Sequence, residues 1–298
     1  MEDGIGTALV LEGGGFRGMF TAGVLDVLME HGIYDFSSIW GVSAGAINAA
    51  GFRSRQIGRT MRIMLAFRDD RRFMSLWSFA RTGNLAGGEF LYEDIQDSLD
   101  PCDVETFNKS RIPFFAVASD IVFGTAAYLP TRRFPDDVIN VRASASMPAV
   151  SRVVEIDGHR YLDGGTTDSI PFGVALGLEG ERRVEGCVPS RRALVVITQD
   201  RGYVKPRNSE AISLRSHRYD GYPFYLAALK TRGERYNEQR ERLLEHETAG
   251  DCLVIAPERP VEVKVNEHDG APLLDLYLQG RRQAEGRLDE IHAFVTGD

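Results

Sequence analysis

Three cysteines in 298 residues, Cys102, Cys187 and Cys252, stand far apart and form no C-x-x-C pair. That scarcity excludes a disulfide framework and leaves no zinc-binding pattern. Long apolar runs are missing too: nowhere do about 18 apolar residues follow one another, so no transmembrane helix is expected. The N-terminus, MEDGIGTALVLEGGG, carries acids where a signal peptide needs Lys or Arg, and its apolar run breaks at Gly13. Positive charge is in deficit. Lys and Arg total 35 against 43 Asp and Glu, a formal net charge of −8, which argues against nucleic acid as a partner because phosphate binding calls for a basic face. With 43% hydrophobic and 26% charged residues, the chain can still bury a substantial core. The expectation is a cytoplasmic protein made of one large domain, or of a domain plus an extension.

No repeat or low-complexity tract is present. Thr7 to Leu11 (TALVL) reads as a short buried strand that runs directly into the glycine-rich EGGGFRG. From Phe16 to Glu30, Phe20, Val24, Leu25, Val27 and Leu28 recur at helical spacing, with Gly32 as a C-terminal cap. Ser38 to Gly41 reads as a second strand and Ala44 to Ala50 opens a second helix. Strand, helix, strand, helix implies a parallel sheet covered on both faces. Phe114 to Ala118 and Ala193 to Thr198 are further buried strands. Arg152 to Ile156 and Arg160 to Leu162 flank Asp157-Gly158, a strong hairpin signal. A helix is expected to begin near Ile170-Pro171, and Glu179 to Arg192 to form a surface connection. Beyond Gln199 the pattern turns mostly helical, with one more strand at Cys252 to Ala256.

Two motifs sit on these elements. Gly41-Val42-Ser43-Ala44-Gly45 is a G-x-S-x-G between a strand and a helix, where a serine is held on a strained turn with its hydroxyl projecting above the sheet edge. The helix that follows adds a positive dipole at the serine. The plain alternative is a glycine-rich turn with a capping serine. Gly13-Gly14-Gly15-Phe16-Arg17-Gly18 satisfies G-x-G-x-x-G, a dinucleotide fingerprint. A nucleotide fold needs an acid at the end of the second strand. Here that strand ends at Trp40-Gly41, inside the serine motif, and Asp35 precedes it. In a hydrolase the same loop exposes backbone N–H groups that stabilise an oxyanion. Arg17 either locks the loop or meets an anionic head group.

A serine nucleophile needs a base. The histidines are few: His31 sits at a helix end, His159 at the hairpin tip, and His217, His246, His268 and His292 in the charged C-terminal region. None has the strand-end setting a triad requires. Asp163, in Asp163-Gly164-Gly165 after the strand Arg160 to Leu162, is one candidate, but Asp120, Asp168 and Asp200 also lie near element ends, and chemistry alone does not choose among them.

Taken together, GGGFRG after the first strand, GVSAG after the second and DGG more than a hundred residues later resemble the patatin-like phospholipase (PNPLA) family. Arg142 to Pro148 (RASASMP) also looks like the family's Ala-Ser…Pro stretch. The resemblance covers residues 7 to 176. It implies a three-layer α/β/α fold with a mainly parallel central sheet; residues 177–298 would supply remaining sheet strands and a mostly helical extension. It also implies a Ser-Asp dyad without histidine, Ser43 as nucleophile and Asp163 as proton acceptor. The oxyanion hole maps onto Gly13 to Gly18, the elbow onto Gly41 and Gly45, and the DGG motif onto Gly164 and Gly165. No metal or organic cofactor is implied. The expected substrate is a phospholipid or other acyl ester; a thioesterase, an acyltransferase and a non-catalytic regulatory protein are the alternatives. Residues 52 to 79 interleave seven arginines, among them Arg53, Arg59 and Arg71, with apolar residues such as Met64, Phe73 and Trp77. Such a stretch suits peripheral contact with an anionic lipid surface. The favoured reading is a helix pair packed on the core with its arginines solvated.

Overall fold

The computed structural model describes residues 4–263 and 267–297; the first three residues of the acidic N-terminus, residues 264–266 and Asp298 lie outside the described residues. Every side chain of Thr7–Leu11 (β1) is buried, and successive residues serve opposite faces. Leu9 and Leu11 enter the core beneath one helical layer, Ala8 and Val10 the core beneath the other. A strand apolar on both sides belongs in the middle of a covered sheet, and β1 lies between two parallel neighbours, β2 (Ser38–Val42) and β7 (Arg192–Val196).

The first half of the chain alternates strands with covering helices. After β1 a 3₁₀ turn (Gly15–Arg17) leads into α1 (Gly18–Glu30), and β2 leads into α2 (Ala44–Arg53). Then come α3 (Arg59–Phe67), α4 (Leu76–Thr82), a π-helical stretch at Phe90–Leu99 and α5 (Val104–Lys109). β3 (Phe114–Asp120) and β4 (Thr125–Pro130) form an antiparallel pair, followed by α6 (Val138–Ser144). The expected hairpin is β5 (Val154–Ile156) with β6 (His159–Asp163), turned by Asp157 and Gly158 at φ 51° and 82°. Two successive positive φ values are what a two-residue hairpin loop demands. The second half adds α7 (Phe172–Leu176), β7, α8 (Ala211–Arg215), α9 (Pro223–Ala249), β8 (Cys252–Ile255), α10 (Gly270–Gly286) and α11 (Leu288–Thr296). The result is a three-layer α/β/α fold with a mixed, largely parallel sheet in the order β5-β6-β3-β2-β1-β7-β8, with β4 beside β3.

The C-terminal helices share the main core. Leu273, Leu276, Tyr277, Ile291 and Val295 pack with residues of α1 and α2. α10 lies so close on α1 that a Cβ on Gly280 would stand 2.1 Å from the Phe20 carbonyl oxygen, and one on Gly23 2.1 Å from that of Tyr277.

β4 was not anticipated, and the arginines of 52–79 need correction. Arg53 (7% exposed) and Arg59 (5%) are buried rather than solvated. Arg53 donates to the carbonyls of Thr131, Ser110 and Arg132, and Arg59 pairs with Asp100 and Gln96. These guanidinium groups tie the helices to loops, a use of arginine that spacing does not reveal.

Candidate active site where two strand ends meet

Register brings the two principal candidates together. β4 occupies one edge of β3 from Phe115 to Asp120, so β2 and β6 must share the other. β2 runs parallel to β3 and ends with Val42 opposite Val117; β6 runs antiparallel and ends with Asp163 opposite Ala118. The two chains therefore arrive head to head one strand residue apart, a rise of about 3.3 Å. Ser43 is the next residue after Val42.

Ser43 sits at φ 53°, ψ −120°, a conformation that costs an L-residue about 1–3 kcal/mol and persists only where the surroundings enforce it. Here they do. A Cβ on Gly45 would stand 2.3 Å from the Leu11 carbonyl oxygen, and one on Gly41 2.8 Å from the Ala46 nitrogen. β1 and α2 thus close on the turn with room only for glycine. The Ser43 N–H donates to the Ser144 hydroxyl (2.9 Å), which itself donates to the Val117 carbonyl (2.6 Å). Ser144 therefore pins the elbow to β3.

Asp163 is 5% exposed and Ser43 8%. The Asp163 N–H donates to the Ser146 carbonyl (2.8 Å), and its own carbonyl accepts the Ser119 hydroxyl (2.8 Å). Its carboxylate accepts the Gly165 N–H (2.8 Å), and the Ser43 hydroxyl lies near enough to favour its charged form. Burial pushes the carboxyl above the ordinary 3.8, opposed by the Ser43 hydroxyl and the nearby Arg232 charge. A Cβ on Gly164 would lie 2.1 Å from the Val117 carbonyl oxygen, so the turn after Asp163 also presses against β3.

The glycine loop completes the wall. A Cβ on Gly13 would stand 3.1 Å from that of Ser43, and Gly15 has φ 55°. The Arg17 N–H donates to the Gly14 carbonyl, and that of Gly18 to Gly15 and Phe16 within the turn. Those commitments leave the amides of Gly13, Gly14, Gly15 and Phe16 as candidate oxyanion donors. Beneath the loop, buried Glu12 accepts the Thr198 N–H and the Tyr236 hydroxyl, each at 2.5 Å. It ties the ends of β1 and β7 to α9.

Two cavities open from Ser43. An apolar one, about 100 Å³, runs past Met19, Ile47, Met64, Phe73 and Leu91. A polar one, about 300 Å³, holds Asp163, Arg17, Lys205, Glu210 and Arg232. No histidine lines either among the described residues. The competing aspartates are engaged elsewhere: Asp120 with His159 and the turn at Val122, Asp168 with Tyr128 and Gln239, Asp200 with the Gly202 N–H. Sequence reasoning had missed Glu12, Ser144, Lys205 and Arg232. An acid directly before a glycine loop was the one local signal available, at Glu12.

A family model described as patatin-like phospholipase matches residues 9–176, and a domain of unknown function, DUF6363, matches residues 222–296. The chain is 36% identical over 169 residues to YjjU of Escherichia coli strain K12, covering 55% of this chain and 46% of that protein. It is 32% identical over 182 residues to an NTE family protein, Rv1063c, of Mycobacterium tuberculosis strain H37Rv, covering 58% and 46%. These matches span about half the length of the curated relatives. Among solved structures, VipD from Legionella pneumophila aligns with a TM-score of 0.45 and 11% identity, over 96% of this chain and 67% of that one.

Proposed function

The chain belongs to the patatin-like phospholipase family, and we propose that it is a serine hydrolase of lipid acyl esters working through a Ser43–Asp163 dyad. The observation that carries this reading is the meeting of β2 and β6, which sets the Ser43 hydroxyl against a buried carboxylate. Asp163 takes the hydroxyl proton as Ser43 Oγ attacks the ester carbonyl. The oxyanion faces the amides of Gly13 to Phe16, and one such donor is worth about 3 kcal/mol in the transition state. Collapse breaks the ester C–O bond, and Asp163 returns the proton to the departing alkoxide. Asp163 then takes a proton from the water that attacks the acyl-Ser43 ester and passes it to Ser43 Oγ as the acyl–oxygen bond breaks, releasing the carboxylic acid and restoring Ser43.

The two cavities suit the two halves of such a substrate, acyl chain on the apolar side and alcohol on the polar side. Contact with lipid aggregates belongs to the same proposal. Leu76 on α4 is 80% exposed, neighbouring Trp77 carries Arg71 stacked on its ring, and no helix among the described residues is long and apolar enough to cross a membrane. A panel of acyl esters and matched thioesters tests the reading. Hydrolysis of at least one ester class is expected, with kcat falling about 10³-fold in Asp163→Asn. Turnover unchanged by that substitution overturns the role of Asp163, and turnover of thioesters alone overturns the ester assignment.

A further inference from the structure

The polar cavity holds cations to which the proposed ester hydrolysis assigns no contact with substrate. We propose that Lys205 and Arg232, together with Arg17, form a subsite for an anionic group, phosphate or carboxylate, on the alcohol side of the ester. This rests on the reading of Ser43 as the acyl-transfer centre, because it places the anion relative to the scissile bond.

Net charge does not decide the matter, since Glu12, Glu210 and Asp163 line the same cavity. What decides it is which groups already have partners. Glu12 is satisfied by Thr198 and Tyr236, Asp163 by the Gly165 N–H, and Glu210 by Arg232 Nη1 at 2.5 Å. The cations are not satisfied in the same way. The Nε atoms of Arg17 and Arg232 are both buried and have no hydrogen-bond acceptor among the described residues. The Lys205 ammonium makes no ion pair there either; it lies 4.7 Å from the Tyr236 ring centroid. Buried donors without acceptors are costly, and charged ones more so. Arg17, Lys205 and Arg232 all line this cavity, so an oxyanion entering it meets three cations, of which Lys205 has no ion-pair partner among the described residues. Guanidinium groups favour it geometrically, because their planar donors match the oxygens of phosphate or carboxylate.

The electrostatics agree. Burial, with Arg232 next and Arg17 further down, pushes the Lys205 ammonium down to about 8, against the pull of Glu12 and Glu210. Like charges are thus crowded where a ligand anion would relieve them. Placement gives the anion its role. Among the described residues only Gly15, Ser43 and Met147 line both cavities, so a substrate attached at Ser43 sends its acyl chain and its alcohol in different directions. Lys205 and Arg232 also lie beyond residues 9–176, and Arg232 falls within 222–296. The C-terminal region therefore contributes to choice of alcohol, while the family-matched segment supplies Ser43, Asp163 and the glycine loop.

Two arms test this. In the first, kcat/KM is measured for an acylglycerol phosphate and for the monoacylglycerol with the same chain, both kept monomeric. Lys205→Met is expected to lower the phosphate-to-neutral ratio about tenfold, the loss of one charge-assisted contact, and Lys205→Arg to restore most of it. An unchanged ratio in a Lys205→Met protein that melts like wild type overturns the headgroup assignment. In the second arm, glycerol 3-phosphate, inorganic phosphate and glycerol are titrated calorimetrically into Ser43→Ala. Binding of glycerol 3-phosphate but not of glycerol, weakened about tenfold by adding Lys205→Met, is expected. No heat from either phosphate overturns the subsite. Binding of inorganic phosphate alone assigns it to the free ion and overturns the ester link. If neither ester is hydrolysed while glycerol 3-phosphate binds, the anion site stands and the hydrolase reading falls.

Discussion

Asp163 must be charged to accept a proton, yet it is buried where charge is disfavoured. The sign of the pH dependence follows. Because burial raises its pKa above 3.8, the acid limb of kcat/KM should lie above the ordinary carboxylate range, activity falling as pH drops through the raised value. Stability runs the other way. A folded pKa above the unfolded one means that the folded state holds the proton longer, so stability falls as pH rises through that window and the penalty stands in full above it. Asp163→Asn should therefore lose about 10³-fold in kcat yet melt at the same temperature as wild type at pH 8, or higher. A lower melting temperature, or an acid limb at the ordinary value, contradicts this account. At this scale Ser43 was legible because its constraints are local: small neighbours on a strand-to-helix turn. Ser144 and Glu12 were not, because the groups they satisfy lie 101 and 186 residues away in sequence.

Among the elements, β1, β2 and the 154–163 hairpin could be read directly, since apolar runs and Asp-Gly act locally. β4 escaped because its apolar run, Ala126 to Leu129, is short and ends at Pro130, and its side chains are only partly buried. The basic stretch 52–79 was ambiguous for a physical reason: amphipathic spacing looks the same whether the apolar face meets a core or a lipid surface. The structure divides it. Met64, Phe73 and Met74 enter the core, whereas Leu76 and Trp77 face outward. If α4 meets lipid, Leu76→Glu with Trp77→Glu should lower activity on anionic vesicles at least tenfold relative to a soluble short-chain ester, the penalty expected for losing two buried apolar contacts. An equal effect on both substrates would remove α4 from the lipid contact.

Across the whole molecule, the site depends on parts of the chain that no single motif contains. β3 aligns β2 with β6, and β7, from beyond residue 176, supplies the second parallel neighbour of β1. Glu12 then joins that edge to α9 through Tyr236. The order of the motifs was visible in the sequence, while the head-to-head register was not, because it depends on which edge of β3 the β4 strand takes. A fragment ending at residue 176 exposes one edge of β1 and uncovers the apolar faces that α9 and α10 bury. It should fail to unfold cooperatively in urea, and a cooperative transition would show that the family-matched segment is self-sufficient. The central claim is that the strained serine at the end of β2 is an activated nucleophile. Reaction with a fluorophosphonate, followed by peptide mass spectrometry, tests it most directly. The account predicts one adduct, on Ser43, absent in Ser43→Ala and formed much more slowly in Asp163→Asn; labelling that survives Ser43→Ala would contradict it.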